Sequence, residues 1–196
     1  MICFCLAGVK VALHFGFFAV LFLIVELTGS DWALWGVFCC LVHELGHAAA
    51  YALCGARPRE LHFEAGGMRF VPPEGLLSAG REAFILAAGP LANLLAGGIL
   101  CLGGGFRAAG AHFLLAGFNL LPLAPLDGGQ LFALLLEALL PPRPAERMAR
   151  AVHLLCLAGM AGCGLLLLRE TGNFTLLLTL FCLAADSGAK KRGTGR

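Results

Sequence analysis

The residues best suited to chemistry in this chain are two histidines and a glutamate in the segment His43-Glu44-Leu45-Gly46-His47. On a helix, positions i and i+4 share a face, so both imidazoles can reach one metal ion. Zinc lowers the pKa of a bound water to about 7, and a neighbouring carboxylate can take the proton and pass it to a leaving amine. The segment therefore predicts a zinc site for peptide hydrolysis, with Glu44 as catalytic base.

This five-residue pattern also occurs by chance in soluble helices, where its polar groups simply face water. Here it lies within an apolar run from Trp32 to Leu53. Two histidines and a glutamate inside a membrane together cost on the order of several kcal/mol unless they pair or bind something. The context therefore favours a functional site over a solvated helix face.

A catalytic zinc ion takes three protein ligands and leaves one position open, so a third donor is needed. Asp127 is the best candidate because it lies at a break in an apolar run, where the backbone can bend and water can enter. Glu26 and Glu137 are placed to find water or a basic partner instead. The alternative role for Asp127 is a helix N-cap, which suits aspartate. We favour the ligand role.

The composition indicates the kind of fold that must position these residues. Of the 196 residues, 59% are hydrophobic and 13% are charged, whereas a soluble domain has about 25% charged residues. Apolar runs of about 20 residues are long enough to cross roughly 30 Å of hydrocarbon. We therefore predict an all-α polytopic membrane protein with about six spans: Val11 to Leu27, Trp32 to Leu53, Ala83 to Leu102, Ala109 to Leu140, Met148 to Leu168 and Phe174 to Ala185.

Two features interrupt this helical plan. The fourth span contains two prolines and two glycines between Asn119 and Gly129, which predicts an unwound segment beside a cavity. Between the second and third spans, alternating residues on either side of Ala65-Gly-Gly67 predict a small β-hairpin. We expect one membrane domain over residues 1–186, with the hairpin inserted at about 57–75, and a polar basic tail over residues 187–196.

The positive charges indicate the orientation, because short cytoplasmic loops collect Lys and Arg. If the fourth span counts as one crossing, only Arg107 and Arg169 fall on the outer side. The other side then holds Lys10, Arg57, Arg59, Arg69, Arg81, Arg143, Arg147, Arg150, Lys190, Lys191, Arg192 and Arg196. We expect both termini to be cytoplasmic, in a bacterial cytoplasmic membrane. The net charge of +2, with no basic stripe, excludes nucleic acid as a partner.

The segments His43 to His47 and Asn119-Leu-Leu-Pro122-Leu-Ala-Pro125-Leu-Asp127-Gly128 together resemble the two signatures of the site-2 protease family of intramembrane metalloproteases. Gly89-Pro90-Leu91-Ala92-Asn93 is similar to a third motif of that family. The resemblance implies zinc bound by His43, His47 and Asp127, with Glu44 as base. Within the family, the short plan resembles the stage IV sporulation protein FB-like members, whose relatives release a membrane-tethered sigma factor precursor during sporulation.

Other residues receive smaller roles. We expect Asn93, Asn119, Gly89 and Pro122 to bind substrate or shape the site, with helix packing as the alternative. His14, His112 and His153 are expected to be structural or interfacial.

We expect a membrane protein substrate, and we leave open a regulatory membrane subunit and the oligomeric state. The competing functions are a zinc-binding membrane transporter, which would require inverted repeats and a polar pore, and an inactive protease-like scaffold, which would lack a catalytic residue.

Overall fold

The structure, a computed structural model, describes residues 2–6, 9–13, 30–56, 58–64, 67–71 and 77–181. It divides into two compact units, Met1–Phe118 and Asn119–Arg196. The described part is mostly helical with one small sheet. The helices are α1 (Ser30–Leu53), α2 (Ala79–Leu102), α3 (Phe106–Asn119), α4 (Asp127–Leu139) and α5 (Pro142–Thr171), and the strands are β1 (Ile2–Leu6), β2 (Val9–Leu13), β3 (Glu60–Glu64) and β4 (Gly67–Val71).

Three of the described helices are long and apolar enough to cross a membrane. They are Trp35–Leu53 within α1, Ala79–Leu102 and Pro142–Thr171. These helices cover the second, third and fifth predicted spans and support a membrane protein. Of the sixth predicted span, residues 175–181 are helical, and its remainder lies outside the described residues, as does the predicted tail.

The small sheet lies in the first unit and has the strand order β1-β2-β3-β4. The predicted hairpin is confirmed as the antiparallel pair of β3 and β4. It belongs to a larger sheet than we expected, because β2 pairs with β3 in parallel and with β1 in antiparallel fashion. Lys10 of β2 also forms an ion pair with Glu60 of β3, with the Lys10 Nζ and Glu60 Oε1 atoms 3.3 Å apart.

The start of the first predicted span was wrong. Residues 11–13 belong to β2 and not to a membrane helix, while residues 14–29 lie outside the described part of the chain. Val11 and Ala12 are buried, with 3% and 2% of their surface exposed. An apolar run has the same composition in a buried strand and at the start of a span, and one of the two pairing partners of β2, strand β3, is about 50 residues further along the chain.

Helices α1 and α2 pack closely in the first unit because one stripe of α1 carries small or buried residues. Cys39, His43, His47 and Ala50 are buried at intervals of three to four residues, which places them on one face. Gly46 is on the same side, and a Cβ added there would lie 2.5 Å from the carbonyl oxygen of Ala88 on α2. The glycine therefore allows the two backbones to approach, in the manner of small residues in membrane helices.

The predicted interruption of the fourth apolar run is observed. Helix α3 ends at Asn119 and α4 begins at Asp127, with no helix between them. In the second unit, a Cβ on Gly128 would overlap the backbone at Leu120, and a Cβ on Gly129 would overlap the backbone at Leu123. Both glycines therefore allow the connecting loop to fold back on the first turn of α4.

Candidate metal centre

Two imidazole nitrogens of α1 converge in the first unit. His43 and His47 are 5% and 7% exposed, and their Nε2 atoms lie 3.1 Å apart. Their rings meet edge to face, with centroids 4.8 Å apart and planes inclined by 80°. The one-turn spacing of the two residues puts them on the same face of α1, and packing against α2 removes that face from solvent. The pair is thus buried, with the two Nε2 atoms in contact with each other.

The orientation of the His47 ring is fixed from the neighbouring helix. Its Nδ1 lies 2.7 Å from the carbonyl oxygen of Ile85 on α2. A carbonyl can only accept a hydrogen bond, so this nitrogen carries the ring proton and donates it. The Nε2 atom of His47 is therefore left with a lone pair, which is the form in which a histidine binds a metal ion.

Gly89 forms the wall of α2 beside the two nitrogens. A Cβ at this position would lie 2.7 Å from the Nε2 atom of His43 and would also overlap the Nε2 atom of His47. Gly89 is itself buried within α2 and is followed by Pro90. The missing side chain of Gly89 therefore leaves space beside the two nitrogens, and its role in shaping a functional site stays a prediction.

A buried amide and a third histidine stand behind His43. Asn93 of α2 and His112 of α3 are both 0% exposed. The Asn93 Nδ2 atom lies 3.3 Å from the Nδ1 atom of His43, and the Asn93 Oδ1 atom lies 2.9 Å from the Nδ1 atom of His112. From the sequence, His112 was expected to have only a structural or interfacial role. No spacing rule connects it to Asn93, because the two residues meet through the packing of separate helices.

Glu44 follows His43 on α1 and is half-buried. A carboxylate in this position borders the buried histidine face and still has access to the surroundings. That is the placement a general base requires, since it must exchange protons with reactants that enter and leave.

Asp127 belongs to the second unit, where it is the first residue of α4 and is half-buried. The preceding residue, Leu126, has the extended backbone of the cap position, with φ −91° and ψ 160°. Asp127 is therefore not the N-cap that we considered as its alternative role. The loop before it is held by a hydrogen bond from the Ala124 backbone N–H to the Nδ1 atom of His153, at 3.2 Å.

The two remaining predicted site residues, Asn119 and Pro122, lie just before this turn. Asn119 is the last residue of α3, and Pro122 lies in the loop that connects α3 to α4. Both are half-buried. Their assignment to substrate binding or site shaping stays a prediction.

Comparison with known proteins shows that the chain has a known fold. No protein-family model and no curated protein matches the chain. Among solved structures, the site-2 protease from Methanocaldococcus jannaschii matches with a TM-score of 0.69 and 22% sequence identity, over 95% of this chain and 94% of that one. The match spans both units and bears on the fold rather than on substrate or on any role in sporulation. The chain has the fold of a site-2 protease.

Proposed function

We propose that this protein is an intramembrane zinc metalloendopeptidase of the site-2 protease family, which cleaves membrane-embedded or membrane-tethered proteins. The observation that carries the proposal is the buried pair of histidine Nε2 atoms, 3.1 Å apart, on a helix long and apolar enough to cross a membrane. The fold supports the same assignment. A membrane-tethered regulatory protein, such as a sigma factor precursor, is the substrate class that we propose.

The residues of the first unit fit a zinc ion. Zinc binds imidazole nitrogen at about 2.0–2.1 Å in tetrahedral geometry, which places two ligand nitrogens about 3.3 Å apart. The observed 3.1 Å agrees within the tolerance of roughly 0.2 Å expected of metal sites. His47 already presents a lone pair at Nε2, because its Nδ1 donates to the Ile85 carbonyl. The two imidazoles therefore match zinc in their spacing, and His47 also presents the lone pair that zinc requires.

We propose that Asp127 is the third ligand. A catalytic zinc site takes three protein ligands, and His-His-carboxylate is an established set for peptide hydrolysis. Asp127 begins a helix directly after an irregular loop, so its carboxylate is carried at a fixed point of the second unit. Its half-buried state suits a ligand that shares its site with substrate and water.

In this proposal the protein supplies binding, orientation and proton transfer. Zinc, when bound, acts as a Lewis acid toward the scissile carbonyl and makes water a nucleophile near neutral pH. Glu44 accepts the proton from the attacking water and returns it to the departing amine. The half-buried position of Glu44 allows both transfers. His43 and His47 are held in place by α2 while this occurs.

The substrate must expose a peptide carbonyl, which a membrane helix hides in its own hydrogen bonds, so the substrate segment has to unwind. Strand β4 is an outer strand of the described sheet. An outer strand presents unpaired backbone groups to which an extended peptide can add. We propose that β4 receives the unwound segment in this way.

The test is a Glu44→Gln variant of the full chain, purified in detergent or reconstituted in vesicles. We expect it to bind one zinc ion with an affinity close to that of the unaltered protein and to lose cleavage of a co-expressed membrane-tethered substrate. His43→Ala is the matched control and should lose both zinc and cleavage. A Glu44→Gln protein that still cleaves would remove Glu44 from catalysis, and an unaltered protein without zinc would remove the metalloprotease assignment.

A further inference from the structure

A chain of hydrogen bonds connects His112 to the candidate zinc ligand His43 through Asn93. The Asn93 amide lies between the two rings, 3.3 Å from the Nδ1 atom of His43 and 2.9 Å from the Nδ1 atom of His112. All three groups belong to the first unit and are almost fully buried. A buried amide has one donor side and one acceptor side, so the direction of one hydrogen bond fixes the direction of the other.

The hydrogen bonds in the structure have a defined direction. Here the Nδ2–H group of Asn93 donates to the Nδ1 atom of His43, so the ring proton of His43 is on Nε2. That N–H can donate to the Nε2 atom of His47, at 3.1 Å. On the far side, the Nδ1–H group of His112 donates to the Oδ1 atom of Asn93. Every hydrogen bond in this chain thus runs from His112 toward His47.

Zinc binding requires the opposite direction. To bind zinc through Nε2, His43 needs a lone pair there and therefore carries its N–H group at Nδ1. That N–H needs an acceptor, which Asn93 provides once its amide oxygen and nitrogen exchange places. The two ends of an amide are nearly equal in size, so the exchange requires almost no additional volume. The Nδ2–H group of Asn93 then donates to His112, whose Nδ1 becomes the acceptor.

We propose that His112 is a positioning residue that acts through Asn93 to orient His43 for zinc, and that its own ring N–H moves from Nδ1 to Nε2 when zinc binds. The inference rests on the proposed zinc site. The His112 ring is held for this role, because it packs edge-on against Phe38 with centroids 6.0 Å apart. Its Nε2 atom has no hydrogen-bond partner among the residues that the structure describes, so the contact to Asn93 is made through Nδ1 alone.

A double-mutant cycle on zinc affinity separates this role from simple packing. His112→Phe keeps an aromatic ring but removes the contact to Asn93, and we expect zinc affinity to fall about 10-fold, in the range found for groups that orient metal ligands. His112→Asn places an amide where the Nδ1 atom was and should stay within about 3-fold of the unaltered protein. Asn93→Asp offers an acceptor on both sides, so His112→Phe should have no further effect in that background.

A second measurement uses the unaltered protein, in which folding is not at issue. Nitrogen-15 NMR of histidine-labelled protein should show the His112 N–H group at Nδ1 without zinc and at Nε2 with zinc. An N–H group that stays in place, or a His112→Phe loss that is equal in both Asn93 backgrounds, would overturn the inference.

The two proposals fail in different ways. If the unaltered protein binds no zinc, the proposed function and this inference both fail. If it binds zinc but His112 does not respond, only this inference fails. Loss of proteolysis in a zinc-loaded protein affects the proposed function alone.

Discussion

Replacing Gly89 by alanine tests the candidate metal centre with a single methyl group. The added Cβ would lie 2.7 Å from the Nε2 atom of His43, whereas ordinary contact begins near 3.4 Å, so the two atoms must separate by about 0.7 Å. His47 cannot turn aside without breaking the hydrogen bond to the Ile85 carbonyl, which is 2.7 Å long. The methyl group therefore displaces the ligand nitrogens or pushes α1 away from α2.

The size of this displacement predicts a large effect on zinc binding. Metal sites tolerate departures of roughly 0.2 Å in ligand distance, and 0.7 Å is several times larger. Changes that only loosen the groups behind a ligand lower affinity by about 10- to 100-fold, so a direct displacement should cost at least about 100-fold. Stability should fall by at most about 2 kcal/mol, because alanine favours a helix interior over glycine by about 1 kcal/mol and overpacking costs roughly 1–3 kcal/mol.

The assay is a zinc titration of the full chain against a competing chelator, with thermal unfolding measured in the absence of metal. Gly98→Ala is the matched control, because Gly98 also lies within α2 and has no atom within 4 Å of an added Cβ. We expect Gly98→Ala to bind zinc normally and Gly89→Ala to fold but bind zinc poorly. Normal zinc affinity in Gly89→Ala would refute the placement of the histidine nitrogens against this glycine.

Two further predictions concern the sheet. Backbone N–H groups alternate in direction along an outer strand, so proline at one of the two neighbouring positions Met68 and Arg69 in β4 removes an N–H group that points away from the sheet. That variant, Met68→Pro or Arg69→Pro, should leave the sheet paired and zinc binding unchanged but abolish cleavage of a membrane substrate. Normal cleavage by both variants would exclude strand addition. Hydrogen bonds from His62 and, to a smaller extent, from Lys10 hold the pKa of Glu60 below its ordinary value of 4.5. The ionised carboxylate therefore stabilises the sheet above pH 4.5, and this contribution is lost as the pH falls through the lowered pKa. Amide hydrogen exchange of β2 should accelerate as the pH falls through that pKa. Glu60→Gln should remove this pH dependence.

Features that depend on neighbouring residues could be predicted from the sequence. The histidines of α1 share a face because helical geometry alone determines it. The two prolines between Asn119 and Asp127 disfavour a continuous helix, and the structure has no helix from 120 to 126. The hairpin of β3 and β4 follows from alternation around a glycine pair.

Features that depend on distant contacts could not be predicted. The strand at residues 9–13 was assigned partly to a membrane span, because its apolar composition suits either environment and one of its two partners, β3, is far along the chain. The contact between His112 and Asn93 could not be predicted for the same kind of reason, since it joins two helices. Neither local propensity nor periodicity carries information about such pairings.

The sequence by itself determined which donors this protein has, and that two imidazoles lie one helical turn apart in an apolar run. Only the tertiary structure decided which nitrogen of each ring faces the other, because that choice depends on the Ile85 carbonyl and the Asn93 amide of a second helix. It also decided that space stays open beside the two Nε2 atoms, since the α2 residue next to them is Gly89, which has no side chain. A histidine has two nitrogens of similar chemistry, and only the group that binds one of them determines which is left for a metal ion.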